Sequence, residues 1–328
     1  MKNTKFFTLF LIFIKTSLLQ TTTFVEKTEF LLGTIFEIKI EKVKNDQKIL
    51  DQTVEFIREM ENKFSVFKRD SEVSKLNKLK KYKVSEDVLE VIKKAIEISK
   101  LTDGAFDITC KPLIDLYKLK SKKNQLPDEK EIKRVLKNIG WEKIKISEKE
   151  VILEKEMEID LGGIAKGYIV DRVVEFLKNK GIKNGLVNAG GDIYCWGKNP
   201  EGEEWKIGIE NPFKEGEIIA IFSITDRGIA TSGNYKRFYK VKNLKIGHIV
   251  NPITGNIVFN SPVSVTVIGP NCTEADGLAT GIFVLGVSKS LKLMNKLKNF
   301  EYFIIDRNGK IYMSPNFPVF QKSSGSNK

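Results

Sequence analysis

The chain has 328 residues, of which 41% are hydrophobic, so it can bury a full core, and its composition excludes a disordered protein. The formal net charge is +13, but glutamates closely follow the lysine runs, and arginines and aromatic residues are not interleaved with them. This pattern argues against a nucleic-acid partner. Three widely separated cysteines (Cys110, Cys195 and Cys272) and a single histidine argue against a disulfide framework and a zinc site.

The N-terminal segment resembles a signal sequence. Two lysines precede the apolar run from Phe6 to Ile14, which has the length of a signal-peptide core and is too short to span a bilayer. Lys15 interrupts the run and no small-residue cleavage site follows, so residues 1–24 are predicted to be a signal sequence or an N-terminal membrane segment. We expect an exported protein, in the periplasm or on the outer face of the cytoplasmic membrane. No cysteine precedes Cys110, so a lipoprotein anchor is not expected.

Strands and amphipathic helices follow the leader. The alternation in IFEIKIE (residues 35–41) predicts a strand that buries Phe36, Ile38 and Ile40, in a domain expected over residues 30–320. Helical spacing predicts helices near residues 50–60, 85–99, 128–139, 275–285 and 288–297. Two short strands are expected at residues 143–147 and 151–154, and strands near residues 185–197, 205–209, 218–224 and 263–268 are expected to form a mixed sheet. Residues 321–328 are expected to be a disordered tail. The predicted class is α+β.

The segment MEIDLGGIAKGYIVDR predicts a strand that breaks at Gly162-Gly163 into a helix. The free backbone N–H groups and the positive dipole end of such a helix point in the same direction, so this turn can bind a phosphate or a metal-bound anion. Asp160 before the turn and Lys166 inside the helix form a candidate cluster there. The alternative is an ordinary N-terminal acid with a solvated lysine.

Two further positions could carry chemistry. His248 lies in a turn-rich loop, IGHIVNPITGN, and is the only imidazole available as a base, although a histidine in such a loop is more often structural. Asp276 and Thr280 are four residues apart at the start of an apolar helix, so both project from one face, where a hard cation could bind them. A lone acid in a first turn can also simply complement the helix dipole.

Seven blocks in order resemble the ApbE family of FAD:protein FMN transferases: SVFKRDSEVSKLN, DGAFDITCKPL, DLGGIAKGYIVDR, VNAGGDIY, ATSGNY, GHIVNPITG and TEADGLATGIFVLG. The resemblance spans Leu32 to Leu285. It implies an α+β fold with a T-fold-like core and a second lobe that encloses the flavin.

The resemblance also implies roles for individual residues. The residues implied to line the FAD site are Leu32, Phe67, Ala105, Phe106, Asp107, Asp160, Lys166 and Val250. Mg²⁺ would be held by the Gly163 carbonyl, the Asp276 carboxylate and the Thr280 hydroxyl, and His248 would be the base. Leu32 stands where methionine is usual and Phe67 where tyrosine is usual, so a hydroxyl that could bond the flavin is absent at position 67, although stacking is retained.

The implied reaction splits FAD and transfers its FMN half to a Ser or Thr of an acceptor flavoprotein, with release of AMP. A subunit of a membrane redox pump is one implied acceptor. An Mg²⁺-dependent FAD pyrophosphatase would use the same site with water as acceptor. A non-catalytic flavin-binding protein of the cell envelope and a generic solute-binding protein are the remaining alternatives; the latter explains none of the seven blocks.

Overall fold

The computed structural model describes residues 23–233, 238–241, 244–247, 249–258 and 262–322. In these ranges the strands are β1 (Phe24–Leu31), β2 (Thr34–Glu41), β3 (Lys81–Lys83), β4 (Lys145–Ser147), β5 (Glu150–Ile152), β6 (Gly185–Ala189), β7 (Asp192–Trp196), β8 (Trp205–Glu210), β9 (Ile218–Ile224), β10 (Arg227–Gly233), β11 (Phe238–Val241), β12 (Leu244–Gly247), β13 (Ser264–Gly269), β14 (Glu301–Ile305), β15 (Ile311–Met313) and β16 (Val319–Lys322). The α-helices are α1 (Asp46–Phe64), α2 (Glu72–Leu79), α3 (Glu86–Leu101), α4 (Lys111–Lys122), α5 (Glu129–Leu136), α6 (Ala165–Asn179), α7 (Cys272–Leu285) and α8 (Val287–Met294). The α+β class is confirmed, and no helix in the described ranges is long and apolar enough to cross a membrane.

One large sheet organises the fold, with strand order β1-β2-β6-β7-β10-β13-β14-β15. Every pairing in it is antiparallel, so the expectation of a mixed sheet was wrong. The segment 185–197, predicted as a single strand, is a hairpin of β6 and β7 that turns at Gly190 and Gly191. Both glycines have positive φ (64° and 108°), a conformation that residues with a side chain rarely adopt. Glycine at both positions therefore allows the tight reversal.

Helices α1, α6 and α7 cover one face of the large sheet, and α3 packs on α7. The first hydrophobic core lies between them and includes the predicted strand residues Phe36, Ile38 and Ile40, each fully buried. On the opposite face lies a small sheet of order β16-β9-β8, and a second core fills the space between the two sheets. Loops and helix termini leave the layers open at the edges of this three-layer arrangement.

Three boundaries differ from the sequence-based expectations. The fold begins before residue 30, because β1 pairs along its length with β2. Gln321 and Lys322, expected in the tail, belong to β16 and pair with β9, while residues 323–328 and 1–22 lie outside the described residues. The segment before Gly162 has no regular secondary structure, although a strand was expected there. Its backbone at Ile159 bonds to the side chain of Asn77 in both directions (2.8 Å each), which replaces pairing with a strand.

Candidate active site

The candidate site is built around the crossing of α6 and α7, where the two helices touch through their backbones. A Cβ atom at Gly167 would lie 2.3 Å from the carbonyl oxygen of Cys272, so no larger residue fits at this point. The Gly167 N–H donates a hydrogen bond to Oδ2 of Asp276 (3.2 Å). This contact brings the Asp276 side chain of α7 next to the first turn of α6, which carries Lys166.

Lys166 is part of a partly buried charge cluster. Its ammonium group is in direct contact with the carboxylate of Asp192, and its Nζ lies 3.5 Å from Oδ2 of Asp276. Burial by itself would lower the pKa of Lys166, but the two carboxylates outweigh it and raise that pKa above its usual range. Lys166 therefore keeps its positive charge at the helix N-terminus, where an anionic ligand gains from both this charge and the positive end of the helix dipole.

Asp192 is a residue that the sequence analysis did not assign. It is the first residue of β7, only 2% exposed, and it follows the Gly190-Gly191 turn. Burial raises its pKa to about 7, with a further contribution from Asp276, while Lys166 acts in the opposite direction. The sequence contained a clue to Asp192, which is the acid that ends the VNAGGD segment after its two glycines. Only the fold shows that this turn faces the start of α6.

The expected metal donors lie near one another. A Cβ at Gly163 would be 3.6 Å from Thr280 Oγ1, and Thr280 Oγ1 is 3.1 Å from Ser232 Oγ at the end of β10. The described residues contain no cluster of three His, Cys, Asp or Glu side chains suited to a metal, but the expected set needs only one carboxylate. Carbonyl, hydroxyl and carboxylate oxygens are the ligands that a hard cation such as Mg²⁺ prefers, so the residues present fit this group.

The turn before α6 is held by Asp160, whose Oδ1 accepts a hydrogen bond from the Gly162 N–H (2.9 Å). Burial raises the pKa of Asp160, and the bond from Gly162 opposes the shift. Lys166 has its ion pairs with Asp192 and Asp276, so the structure joins Lys166 to the acids of β7 and α7. The sequence analysis grouped Lys166 with Asp160, its neighbour in the chain, and did not include these two more distant acids.

The DGAFD segment forms a buried wall beside this turn. Ala105 and Phe106 are 2% and 4% exposed, and a Cβ at Gly163 would lie 3.1 Å from the Phe106 ring. The Asp107 carboxylate accepts bonds from the N–H and hydroxyl of Thr109 (2.8 and 2.7 Å) and from the Trp141 N–H (3.0 Å). Burial nevertheless raises the pKa of Asp107. In this structure Asp107 fixes the wall through these bonds.

The remaining expected residues lie on separate loops. Leu32 occupies the two-residue turn between β1 and β2, with φ of 54°, and Phe67 is 84% exposed, with Lys118 Nζ 5.4 Å from its ring centroid. Val250 is buried in a third cluster with Tyr117 and Ile257. His248 lies outside the described residues.

Comparisons with known proteins point in one direction. The sequence model of the ApbE family matches residues 32–304. A protein of Vibrio cholerae named FAD:protein FMN transferase is 32% identical over 301 residues, which cover 88% of this chain and 90% of that protein. A protein of the same name from Escherichia coli K12 is 31% identical over 270 residues, covering 78% of this chain and 77% of its own length.

Solved structures agree with the sequence relatives. The flavin transferase ApbE from Vibrio cholerae superposes with a TM-score of 0.81 at 30% identity, covering 90% of this chain and 98% of that chain. The ApbE protein of Thermotoga maritima gives a TM-score of 0.83 at 30% identity, covering 89% and 97%. The family match over most of the chain, together with relatives that align over 77–98% of their own length, shows that this protein belongs to the ApbE family.

Proposed function

We propose that this protein is an FAD:protein FMN transferase that attaches FMN to a Ser or Thr hydroxyl of an acceptor flavoprotein. The observation that carries the proposal is the crossing of α6 and α7, which brings Lys166, Asp276 and Thr280 beside the glycine turn. Such a combination of fixed positive charge, hard oxygen ligands and the positive end of a helix dipole suits a pyrophosphate. The names of the relatives, FAD:protein FMN transferase, support the same activity.

The Gly163 carbonyl, the Asp276 carboxylate and the Thr280 hydroxyl would hold Mg²⁺. When bound, this ion supplies Lewis-acid stabilisation of the negative charge that develops on phosphate oxygens. Lys166 places a second positive charge beside the phosphates, and its pairing with Asp192 keeps it from swinging into solvent. The wall of Ala105 and Phe106 excludes water from the side of the turn next to Gly163.

In the proposed reaction the acceptor hydroxyl oxygen attacks the phosphorus of the FMN half. A new P–O bond to the acceptor forms, the bond from this phosphorus to the bridging pyrophosphate oxygen breaks, and AMP leaves with that oxygen. His248 takes the proton of the attacking hydroxyl as general base. The remaining proposed flavin contacts are Leu32, Phe67, Asp107, Asp160 and Val250.

The acceptor is proposed to be an exported flavoprotein with a short Ser- or Thr-containing motif, such as a subunit of a membrane redox pump. The leader-like segment supports export to the periplasm or to the outer face of the cytoplasmic membrane. Both enzyme and acceptor would then meet in the same compartment.

An AMP-release assay tests the proposal. The protein is incubated with FAD and Mg²⁺, with an acceptor domain and with the same domain carrying Ala at the acceptor position. We expect AMP release only with the hydroxyl-bearing acceptor. Equal AMP release without any acceptor would identify an FAD pyrophosphatase, and FAD binding without AMP release would identify a flavin-binding protein.

A further inference from the structure

Asp171 of α6 is a buried acid that the proposed reaction does not use. Its two carboxylate oxygens accept hydrogen bonds from the backbone N–H groups of Cys272 and Thr273 (2.8 Å each) and from the Thr273 hydroxyl. These donors form the first turn of α7. One side chain of α6 therefore binds three donors of the neighbouring helix.

These bonds complete the N-terminus of α7. The first N–H groups of a helix lack partners within the helix. The cap residue Asn271 accepts from the Glu274 N–H (2.8 Å), whereas Asp171 accepts from the two N–H groups that precede it. Asn271 stabilises α7 from within its own chain segment, but Asp171 stabilises it by tying it to α6.

The tie is placed where it fixes the active-site geometry. Gly167 and Asp171 are four residues apart on α6 and so lie on one face, where Gly167 bonds to Asp276 and Asp171 to the first turn of α7. Because α7 is bonded to α6 at these two points, it can neither slide along α6 nor rotate against it. Asp276 lies one turn beyond Thr273, and Thr280 one turn further along α7.

We propose that Asp171 is a positioning residue that holds α7 against α6, so that Asp276 and Thr280 face the Gly163 turn at the spacing that a divalent cation requires. The inference rests on the proposed function, because it assigns these oxygens to a cation. Asp171 itself does not touch the ion or the substrate. Its effect passes through the orientation of α7.

The surroundings of Asp171 support this role. Burial raises its pKa to about 6, and the nearby Glu274 adds to the shift, while the bonds from Thr273 and Cys272 oppose it. A carboxylate whose burial is unfavourable persists where its hydrogen bonds fix an arrangement that an apolar residue could not fix. Three hydrogen bonds to one turn of α7 also fix the direction in which the two helices meet, which the packing of apolar side chains does not.

Calorimetric titration of the whole chain with Mg²⁺ alone tests the inference. The variants are Asp171→Ala, Asp171→Asn and the matched control Asn271→Ala, which removes a cap bond from the same helix turn but leaves the tie to α6 intact. We expect Asp171→Ala to raise the Kd for Mg²⁺ by about tenfold or more, as loss of an outer partner of a metal ligand does. Asp171→Asn retains one acceptor oxygen and is expected to fall between Asp171→Ala and the wild type.

The control separates positioning from stability. Asn271→Ala should lower the Tm, because loss of a cap costs about 1 kcal/mol, yet leave the Kd for Mg²⁺ unchanged. If both Asp171 variants bind Mg²⁺ as tightly as the wild type while their Tm falls, the role of Asp171 is structural only and the inference is overturned. If Asp171→Ala does not fold, the Kd of Asp171→Asn for Mg²⁺ is compared with that of Asn271→Ala, and an equal Kd overturns the inference. Failure of the wild type to bind Mg²⁺ would overturn the metal site itself, and with it the inference.

Discussion

Replacing Asp192 by asparagine tests whether the charge cluster is organised as the structure indicates. The change keeps the shape of the side chain but removes the charge that is in direct contact with Lys166. Removing one partner of a buried ion pair costs about 3–5 kcal/mol, because the other charge is left buried without compensation. Lys166 retains Asp276 at 3.5 Å, and 23% of its side chain is exposed. Both features reduce the loss, and the burial and the Asp276 charge that raise the pKa of Asp192 offset more of it, so we expect the free energy of unfolding to fall by about 1–2 kcal/mol.

The assay is equilibrium urea unfolding at about pH 8, where Asp192 is ionised because its pKa is raised only to about 7. Asp226→Asn is the matched control, since Asp226 pairs with Lys178 at 3.7 Å with both side chains exposed, and should cost no more than about 0.5 kcal/mol. Lys166→Met, measured alone and combined with Asp192→Asn, completes a double-mutant cycle that should give a coupling energy of about 2 kcal/mol. The reasoning is refuted if Asp192→Asn costs no more than Asp226→Asn, or if the double variant is additive.

Three other predictions concern the helix crossing and the metal donors. Gly167→Ala should lower the free energy of unfolding by about 2 kcal/mol or more, because the new methyl group meets the Cys272 carbonyl; an unchanged urea midpoint would contradict this. Asp171→Asn should gain stability relative to the wild type as the pH rises from about 4 to about 7, by up to about 3 kcal/mol. The sign follows because the folded pKa of Asp171, about 6, lies above its ordinary value of 3.8, so the wild type loses stability over that interval. If the pH profiles of Tm for the wild type and the variant run parallel, Asp171 does not titrate there. Ser232→Ala removes the hydrogen-bond partner of Thr280 and should weaken Mg²⁺ binding in calorimetry by about tenfold, whereas wild-type affinity would place Thr280 outside the ligand set.

Local patterns predicted most elements of the fold correctly. The alternation of Phe36, Ile38 and Ile40 and the helical spacing over residues 128–139 depend on neighbours in the chain, and both elements are present. The helix, α5, begins at Glu129 after its cap residue Asp128 and ends at Leu136, earlier than expected. The expected strand before Gly162 is absent because the side chain of Asn77, 82 residues away, takes its backbone bonds. No local pattern reports such a partner.

The site was predictable only in part for the same reason. Asp276 and Thr280 share a helix face, so their proximity follows from spacing. Asp192 and Lys166 come from different elements, and only the turn of the β6–β7 hairpin brings them together. Ser232 and Asp171 likewise act across elements. The roles assigned to individual residues, including His248, and the division into a T-fold-like core and a second lobe stay predictions.

The most direct measurement is in-gel flavin fluorescence of a Thr-containing acceptor domain after incubation with FAD and Mg²⁺. Wild-type protein is compared with Asp276→Ala, which removes the only carboxylate of the proposed ligand set, and each reaction is repeated with the metal chelated by EDTA. Our account predicts a fluorescent acceptor band with the wild type alone, dependent on both Mg²⁺ and the acceptor hydroxyl. An acceptor labelled equally well by Asp276→Ala or in the presence of EDTA would contradict it.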